Sequence, residues 1–261
     1  MSEIRPPKIA IPIPKSDDLD HDDLDYNNRA LPQYEKAVAD AGGHPVRIPL
    51  DLAPAEAAKL IAQCDGVLLP GSGADVDPAK YGAERNPETA PADPKRDHVD
   101  ELLLQNAYHL NKPVLAICYG LQILNVYRSG TLVQHIPEFL PAGQRALVDH
   151  AAGRKVEYAH EVVLDAQSKL AEITGASEFR TNSSHHQSAG EIGDGLRVVA
   201  HCKEDGIVEA LEGTSPEHFV LAVQWHPERS TNDAPSRAIF SSLVEAARAR
   251  RLQLQRELES V

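Results

Sequence analysis

The sequence has few cysteines, no long apolar run and no excess of basic residues. Its cysteines, Cys64, Cys118 and Cys202, are far apart and form no C-x-x-C pair, which excludes a disulfide framework and the common paired-thiol metal and redox motifs. No stretch approaches the roughly 18 apolar residues of a membrane-spanning helix. No apolar segment follows the N-terminus as it does in a secretory signal. A cytoplasmic location without membrane association is therefore the expectation.

The charge balance limits the partners further. Among 261 residues, 26 are Lys or Arg and 39 are Asp or Glu, which gives a formal charge of −13. Proteins that bind nucleic acid neutralise phosphates with an excess of basic residues, so a nucleic-acid partner is not expected. The length allows one large domain or two small ones. Because no linker-like stretch interrupts the sequence, we expect a single domain over residues 1–261 with its core at about 8–248.

Short apolar runs alternate with helical patterns along the chain, and this alternation predicts an α/β fold. Fully apolar runs such as 67–69 and 114–117 are typical of strands buried on both faces of a parallel sheet. The second half has short connections and predicts an antiparallel region that continues the sheet. The predicted strands are 8–14, 44–48, 66–69, 113–117, 155–164, 196–202, 207–211 and 219–224, and the predicted helices are 33–41, 54–62, 93–111, 121–127 and 233–258.

Two segments are predicted to be loops. Residues 74–94 are rich in proline and predict an ordered excursion or a lid near the edge of the sheet. Residues 16–28 are acidic, and a loop that binds a divalent cation is one interpretation of them. The segment lacks the Gly and the terminal Glu of an EF-hand, so a solvated loop is favoured. Its charged residues are Asp17, Asp18, Asp20, Asp22, Asp23 and Asp25, around His21.

Cys118 is a candidate nucleophile because of its position in the chain. It follows the strand 113–117 and precedes Gly120 and a helix, an arrangement that exposes a nucleophile above the carboxyl edge of a sheet. The N-terminus of that helix favours a thiolate, and its free N–H groups can face an oxyanion. A buried, inert cysteine is the alternative.

His226 is the candidate base for this thiol. It comes directly after the strand 219–224, and the carboxyl ends of parallel strands meet at one edge of the sheet, so it can reach Cys118. Glu228 lies two residues further on, where its carboxylate can orient the imidazole. The three residues match the nucleophile, base and orienting group of thiol acyl transfer, although a lone histidine is more often structural.

The segments around these residues carry a resemblance. Residues 113–122 and 223–228 resemble the two signatures of class I glutamine amidotransferase domains. Further stretches resemble one subfamily, the γ-glutamyl-γ-aminobutyrate hydrolases or peptidase C26 group, from about residue 8 to about residue 247. They are residues 69–78 with Tyr81-Gly82, Arg96-Asp97 with Glu101, residues 182–187, and Asp205-Gly206 with residues 208–210.

The resemblance implies a fold and a reaction. The fold is a three-layer, flavodoxin-like α/β sandwich with a mainly parallel central sheet, helices on both faces and a smaller antiparallel extension. The reaction is hydrolysis of a γ-glutamyl amide through a thioester to glutamate and an amine, such as γ-aminobutyrate from polyamine breakdown. Cys118 would be the nucleophile, His226 the general base and then acid, and Glu228 the orienting residue.

The resemblance also assigns the groups around the substrate. The oxyanion hole would use the N–H of Tyr119 and one from the turn Gly71-Ser72-Gly73, with Gly73 favoured. Gln122 would hold the glutamyl α-amino or α-carboxylate group, or merely brace its helix. The expected loop over the pocket contains Asn182, Ser184, His185, His186 and Gln187.

No metal and no cofactor are expected. Adjacent histidines on an extended segment point to opposite sides, so His185 and His186 rarely bind one ion together. The remaining positions that match the family fit structural roles equally well. They are Asp77, Tyr81, Arg96 and Glu101.

Two positions depart from the family pattern. Tyr119 stands where the family often has Arg, and residues 127–130 stand where it usually has glycines. These departures put the identity of the leaving amine in question more than the reaction type.

Two other functions stay open, a glutaminase subunit that passes ammonia to a separate synthetase and a non-catalytic binding module. The expected partners are a small γ-glutamyl substrate and a second copy of the chain in a homodimer.

Overall fold

The computed structural model describes residues 5–16, 21–145 and 147–259. Its strands are β1 (Lys8–Pro12), β2 (His44–Ile48), β3 (Gly66–Leu69), β4 (Val114–Ile117), β5 (Leu132–Val133), β6 (His160–Leu164), β7 (Glu178–Thr181), β8 (Ser188–Ala189), β9 (Leu196–Cys202), β10 (Val208–Gly213) and β11 (Val220–Val223). Its α-helices are α1 (His21–Asp40), α2 (Pro54–Ala62), α3 (Pro94–Leu110), α4 (Tyr119–Tyr127), α5 (Ile136–Phe139), α6 (Lys169–Thr174) and α7 (Ala234–Glu259). None of these helices combines the length and the apolarity needed to cross a bilayer.

The main sheet has the strand order β2-β1-β3-β4-β11-β10-β9-β6-β7. The pairs from β2 to β11 are parallel, and those from β11 to β7 are antiparallel. It follows that only β10 and β6 run against the other strands of this sheet. The predicted parallel sheet with an antiparallel continuation is confirmed. The short strands β5 and β8 form a separate antiparallel pair.

Helices cover both faces of the sheet because the central strands are apolar on both sides. In β4, Leu115 and Ile117 face one core, which α1 and α7 close, whereas Val114 and Ala116 face a second core closed by α2, α3 and α4. All four of these residues are fully buried. The predicted three-layer, flavodoxin-like architecture is therefore confirmed.

The predicted loop at 16–28 is wrong over most of its length, because α1 begins at His21. The prediction placed the helix after Pro32, since proline lacks the N–H that a helix interior uses. Burial outweighs this cost. Leu31, Tyr34 and Val38 lie on one face of α1 and pack into the core. Residues 17–20 and the side chains of residues 21–25 lie outside the described residues, including the acidic groups considered for a cation.

Residues 74–94 form an ordered excursion, as predicted. A 3-10 helix spans Pro78–Tyr81. Asp77 is its N-cap, and the Asp77 carboxylate accepts from the N–H of Ala79. The Asp75 carboxylate accepts from the N–H of Ala90 at 2.7 Å and thereby closes the excursion on itself. Its two ends lie next to the carboxyl edge of β3 and the start of α3, so the excursion borders the edge of the sheet where the candidate residues meet.

Candidate active site

The candidate residues meet at the carboxyl edge of β4 and β11. These neighbouring strands pair with Val223 opposite Ile117, and the N–H of Cys118 continues the ladder by donating to the Val223 carbonyl at 2.8 Å. His226 follows three residues after Val223. The Gly71 backbone lies between the two side chains, since a Cβ at Gly71 would be 2.9 Å from His226 Cε1 and 3.6 Å from Cys118 Cβ.

The backbone at Cys118 has the strain of a nucleophile elbow. Its φ of 54° and ψ of −107° lie in a region that favours glycine, at a cost of about 1–3 kcal/mol. Gly120 lets the turn pack closely on β3, because a Cβ there would lie 2.4 Å from the Leu69 carbonyl oxygen. The strand-to-helix turn that the sequence predicts is therefore present, with α4 beginning directly after the thiol.

The Cys118 thiol is protonated at neutral pH. Burial raises its pKa to about 12, although the Arg229 charge and the Tyr119 N–H oppose this rise. The Tyr119 N–H at the N-terminus of α4 lowers the thiol pKa, in the direction that the sequence predicts, but desolvation of the buried sulfur outweighs this effect. The thiol needs a base to become a nucleophile.

His226 is held in the orientation that a base requires. Its Nδ1 lies 2.8 Å from Glu228 Oε1, and both side chains are buried, so Nδ1–H donates to the carboxylate and Nε2 is left to accept a proton. Burial lowers the pKa of His226 and Glu228 opposes this, with the result that the imidazole is neutral at pH 7. Asn182 fixes the backbone, accepting from His226 N at 3.0 Å and donating to His226 O at 2.9 Å.

Two backbone N–H groups belong to residues that line the thiol cavity, where they can face an oxyanion. The Tyr119 N–H lies at the Cys118 sulfur, where it lowers the thiol pKa. In the glycine-rich turn, the Gly71 N–H donates to Tyr34 Oη at 3.1 Å, whereas no described residue accepts from the Gly73 N–H. Gly73 lines the same cavity as Cys118. This geometry fits the choice of Gly73 over Gly71, which stays a prediction.

A cavity of about 330 Å³ opens above the thiol. Gln122 donates to the Gln187 carbonyl at 3.3 Å, and Gln187 in turn donates to the Gln134 carbonyl at 3.1 Å. Most of the predicted site residues lie in the cavity wall, whereas Asn182, His226 and Glu228 are not among its lining residues. The lining residues are Ser72, Gly73, Ala74, Asp75, Ala90, Cys118, Tyr119, Gln122, Ala151, Ser184, His185, His186 and Gln187.

The two adjacent histidines point to opposite sides, as predicted. His186 Nε2 lies 3.0 Å from Asp75 Oδ2, and this hydrogen bond raises the pKa of His186. His185 is buried and directs Nε2 to within 3.5 Å of Glu209 Oε1, in a separate cluster of polar side chains.

Arg229 was not predicted from the sequence. Its Nη1 donates to Ser184 Oγ at 2.7 Å, and its Nε lies 3.5 Å from Glu228 Oε1. Arg229 also lines a second cavity of about 220 Å³ together with Arg154, Lys155 and Asn182. Its place directly after Glu228 is the one sequence signal that points to it. Tyr34 has no such signal, although its hydroxyl lies 3.4 Å from His226 Nδ1.

Arg96 is a buried residue that contacts two backbone segments of the candidate site. The buried guanidinium bonds both Asp100 oxygens at 2.9 Å and donates to the Pro70 carbonyl at 2.7 Å, directly before Gly71. It also lies over the Tyr119 ring, 4.9 Å from its centroid. Arg96 therefore joins the glycine-rich turn to the residue that follows the nucleophile.

The other positions that match or depart from the family pattern have structural contacts. Glu101 pairs with Lys80 at 2.6 Å, and the Tyr119 hydroxyl donates to Asp97. Tyr119 is 1% exposed, and its side chain packs into the second core, which α2, α3 and α4 close. Arg128, in the second departing stretch, lies over Tyr108 and is not among the cavity residues.

Comparison with known proteins gives consistent results. A sequence model of the family described as Peptidase C26 matches residues 7–228. The gamma-glutamyl-gamma-aminobutyrate hydrolase of Escherichia coli strain K12 is 35% identical over 86% of this chain and 88% of its own length. A putative glutamine amidotransferase of Mycobacterium tuberculosis is 38% identical over 82% of this chain but only 66% of its own length.

A solved structure shares the fold. A putative GMP synthase protein from Thermoplasma acidophilum superposes with a TM-score of 0.64, and the match covers 98% of each chain. Its sequence is 14% identical, so this likeness concerns the fold alone.

Proposed function

The chain belongs to the peptidase C26 family, with an amidohydrolase or glutamine amidotransferase-like activity, and from this we propose that it hydrolyses the γ-glutamyl amide bond of a small γ-glutamyl compound. The observation that supports this most strongly is the strained Cys118 turn beside the buried His226–Glu228 pair. A non-catalytic binding module has no use for a strained thiol next to an oriented base.

The proposed reaction starts from a neutral thiol. His226 Nε2 takes the proton from Cys118 as the sulfur attacks the γ-carbonyl carbon. The oxyanion that forms accepts from the N–H groups of Tyr119 and Gly73, and each such donor contributes roughly 3 kcal/mol of transition-state stabilisation. The C–N bond then breaks, and the His226 imidazolium protonates the departing amine, which leaves a γ-glutamyl thioester.

Water completes the cycle. His226, now neutral, takes a proton from the water that attacks the thioester carbonyl. The C–S bond breaks, glutamate leaves, and the thiol of Cys118 regains its proton from His226. Glu228 stays ionised throughout, because His226 and Arg229 hold its pKa below the usual range although burial alone would raise it.

We further propose that the leaving amine carries a carboxylate, as in γ-glutamyl-γ-aminobutyrate. Arg229, which donates to Ser184 in the wall of the thiol cavity, lines a second cavity that does not include Cys118. We assign the leaving group to this neighbouring cavity because Arg154 and Lys155 also line it, and guanidinium groups bind carboxylates well. Its acidic side chains, Glu157 and Asp233, leave it with one more positive charge than negative. Such a lining favours an anionic leaving amine over a diamine.

A panel of γ-glutamyl amides tests both proposals. We expect faster turnover of the γ-aminobutyrate amide than of the uncharged butylamine amide or the putrescine amide, measured as glutamate release. Arg154→Ala should raise KM for the γ-aminobutyrate amide and leave the butylamine amide unchanged. Equal KM changes for the two amides would contradict the assignment of the carboxylate to this cavity.

Cys118→Ala should abolish turnover of every amide in the panel while circular dichroism shows an unchanged fold, and Cys64→Ala should keep full activity. Free glutamine is the control for the glutaminase alternative. If glutamine were the preferred substrate and γ-glutamyl amides were not cleaved, the hydrolase proposal would be wrong.

A further inference from the structure

A second set of titratable side chains lies behind the wall of the thiol cavity and plays no part in the proposed reaction. His150, His160, His185 and Glu209 come from four separate parts of the chain and meet around one point. None of them is more than 5% exposed. Their closest ligand-type atoms all lie within 4.8 Å of one another.

The atoms that face this point lack hydrogen-bond partners. His150 Nδ1, His160 Nε2 and His185 Nε2 are buried and unpartnered among the described residues, and so are both carboxylate oxygens of Glu209. A buried polar atom that makes no hydrogen bond destabilises the folded protein, because it has lost its bonds to water. Five such atoms around one point are unexpected unless something else binds them there.

The three distances from the carboxylate to the imidazoles fit a tetrahedral metal ion, and the imidazole nitrogens lie within 4.8 Å of one another. Glu209 Oε1 lies 3.4 Å from His150 Nδ1, 3.3 Å from His160 Nε2 and 3.5 Å from His185 Nε2. Zinc binds imidazole nitrogen and carboxylate oxygen at about 2.0–2.2 Å, and in a tetrahedron such bonds place the ligand atoms about 3.3–3.6 Å apart. These separations are also longer than the usual N–H···O hydrogen bond of about 2.7–3.2 Å.

The outer nitrogen of each imidazole is already oriented. His150 Nε2 lies 2.9 Å from Asp205 Oδ2, and His185 Nδ1 lies 2.9 Å from the Gln187 carbonyl. His160 Nδ1 faces the Glu161 carbonyl at 3.4 Å. Metal-bound histidines almost always donate their second N–H to a carboxylate or a carbonyl, which leaves the other nitrogen's lone pair for the metal.

We propose that His150, His160, His185 and Glu209 bind a divalent transition-metal ion, best matched by Zn²⁺. Three imidazoles and one carboxylate are borderline ligands that suit zinc and give Mg²⁺ or Ca²⁺ too few oxygens. Four protein ligands in a closed, buried site are typical of a structural ion rather than a catalytic one. This site differs from the expectation of no metal, because it pairs His185 with distant residues and not with His186.

The ion would fix the segment that walls the thiol cavity. His185 lies between Ser184, which accepts from Arg229, and His186, which faces Asp75. Asn182, at the start of the same segment, holds the backbone of His226. A metal at His185 therefore ties this wall to β6 and β10, and it acts on the reaction only by positioning.

A proton is the alternative to a metal. Burial would lower the pKa of His150, but its hydrogen bonds to Asp205 and neighbouring groups raise it to about 11. In that case an imidazolium and Glu209 would form a metal-free ion pair, and the protein would have no specific affinity for zinc.

Elemental analysis of the full chain, made without a histidine tag, separates these two cases. We expect about one zinc per chain after extensive dialysis, and loss of the ion on treatment with dipicolinate. Zn²⁺ added back should raise the Tm, whereas Mg²⁺ should not. Co²⁺ in its place should give the intense visible absorption of a tetrahedral site. Protein that holds no zinc, and whose Tm does not respond to stoichiometric Zn²⁺, would overturn the proposal.

Ligand variants locate the ion. Glu209→Gln and His160→Gln should each weaken zinc binding at least tenfold, and the second serves if the first does not fold. The matched control is His186→Gln, which changes the neighbouring histidine and should leave zinc binding unchanged. Zinc that persists in both ligand variants but is lost in Cys118→Ala would place the ion at the thiol and would likewise overturn the proposal.

Discussion

The proton in the resting site belongs to Cys118 and not to His226. Burial shifts the two pKa values in opposite directions, up for the thiol and down for the imidazole. Both shifts favour the neutral pair over a thiolate–imidazolium pair. The proposed reaction would thus start without the preformed thiolate that some thiol enzymes keep, and the thiolate would form only when substrate binds.

Alkylation of Cys118 by iodoacetamide should show this directly. Because the pKa of the thiol is about 12, the rate should keep rising with pH from 7 to 9.5 and reach no plateau near neutrality. The rate is measured by mass spectrometry of the Cys118 peptide, which separates it from Cys64 and Cys202. A fast rate that does not change with pH between 6 and 8 would show an ion pair instead.

The pH dependence of turnover should report on His226. The base must be neutral, and its pKa is lowered, so kcat/KM should fall only below the ordinary histidine value of about 6.5. Glu228→Gln removes a charge that raises this pKa, so the acid limb should move to still lower pH. The same variant should cut kcat by up to about 10⁴-fold through loss of the oriented tautomer. An acid limb that moves to higher pH would contradict the assigned pair.

Sequence patterns identified the candidate triad but not its neighbours, for a physical reason. Cys118 and His226 stand at the ends of apolar strands, and such strands are visible in the sequence. Arg229 and Tyr34 lie at the site because of the orientation of one side chain and the packing of one helix. Neither of these produces a periodic pattern in the sequence. The net pKa of Cys118 could not be predicted from the sequence, because the desolvation that raises it depends on the complete tertiary structure.

Four elements have the bounds that the sequence predicts, namely β2, β3, β9 and α2. Glycine before β2 and proline at the start of α2 mark their ends, whereas β3 is a short apolar run that is buried at every position. The short elements β5, β7, β8, α5 and α6 were missed, since two to six residues carry too little pattern. The early start of α1 was missed because tertiary burial of its apolar face outweighs an internal proline.

At the level of elements, Arg96 is the main polar connection between α3 and the loops beneath the site. Arg96→Ala leaves Asp100 buried without its partner, so we expect the free energy of unfolding to fall by about 3–5 kcal/mol. Urea denaturation measures this loss. The control is Arg47→Ala, which breaks an exposed pair with Glu35 and should cost at most about 1 kcal/mol. Similar losses for the two variants would show that burial of the pair has no consequence.

For the whole molecule, stability should decrease from the centre of the sheet toward its edges. β4 and β11 are fully enclosed, whereas β2 and β7 are edge strands with exposed positions. Hydrogen exchange should therefore be slowest at the amides of β4 and β11 and markedly faster in β7. The measurement is exchange mass spectrometry with peptides that resolve single strands. Equal protection of β7 and β4 would contradict this order.

The position of β11 has a consequence for how the protein is made. This strand comes last in the chain, yet it lies in the middle of the sheet between β4 and β10, and it delivers His226 to the thiol. During synthesis, Cys118 therefore emerges from the ribosome long before its base. We therefore expect that a chain translated only as far as β10 lacks both this central strand and the proposed base, so that the core and the proposed active site are completed together when β11 inserts.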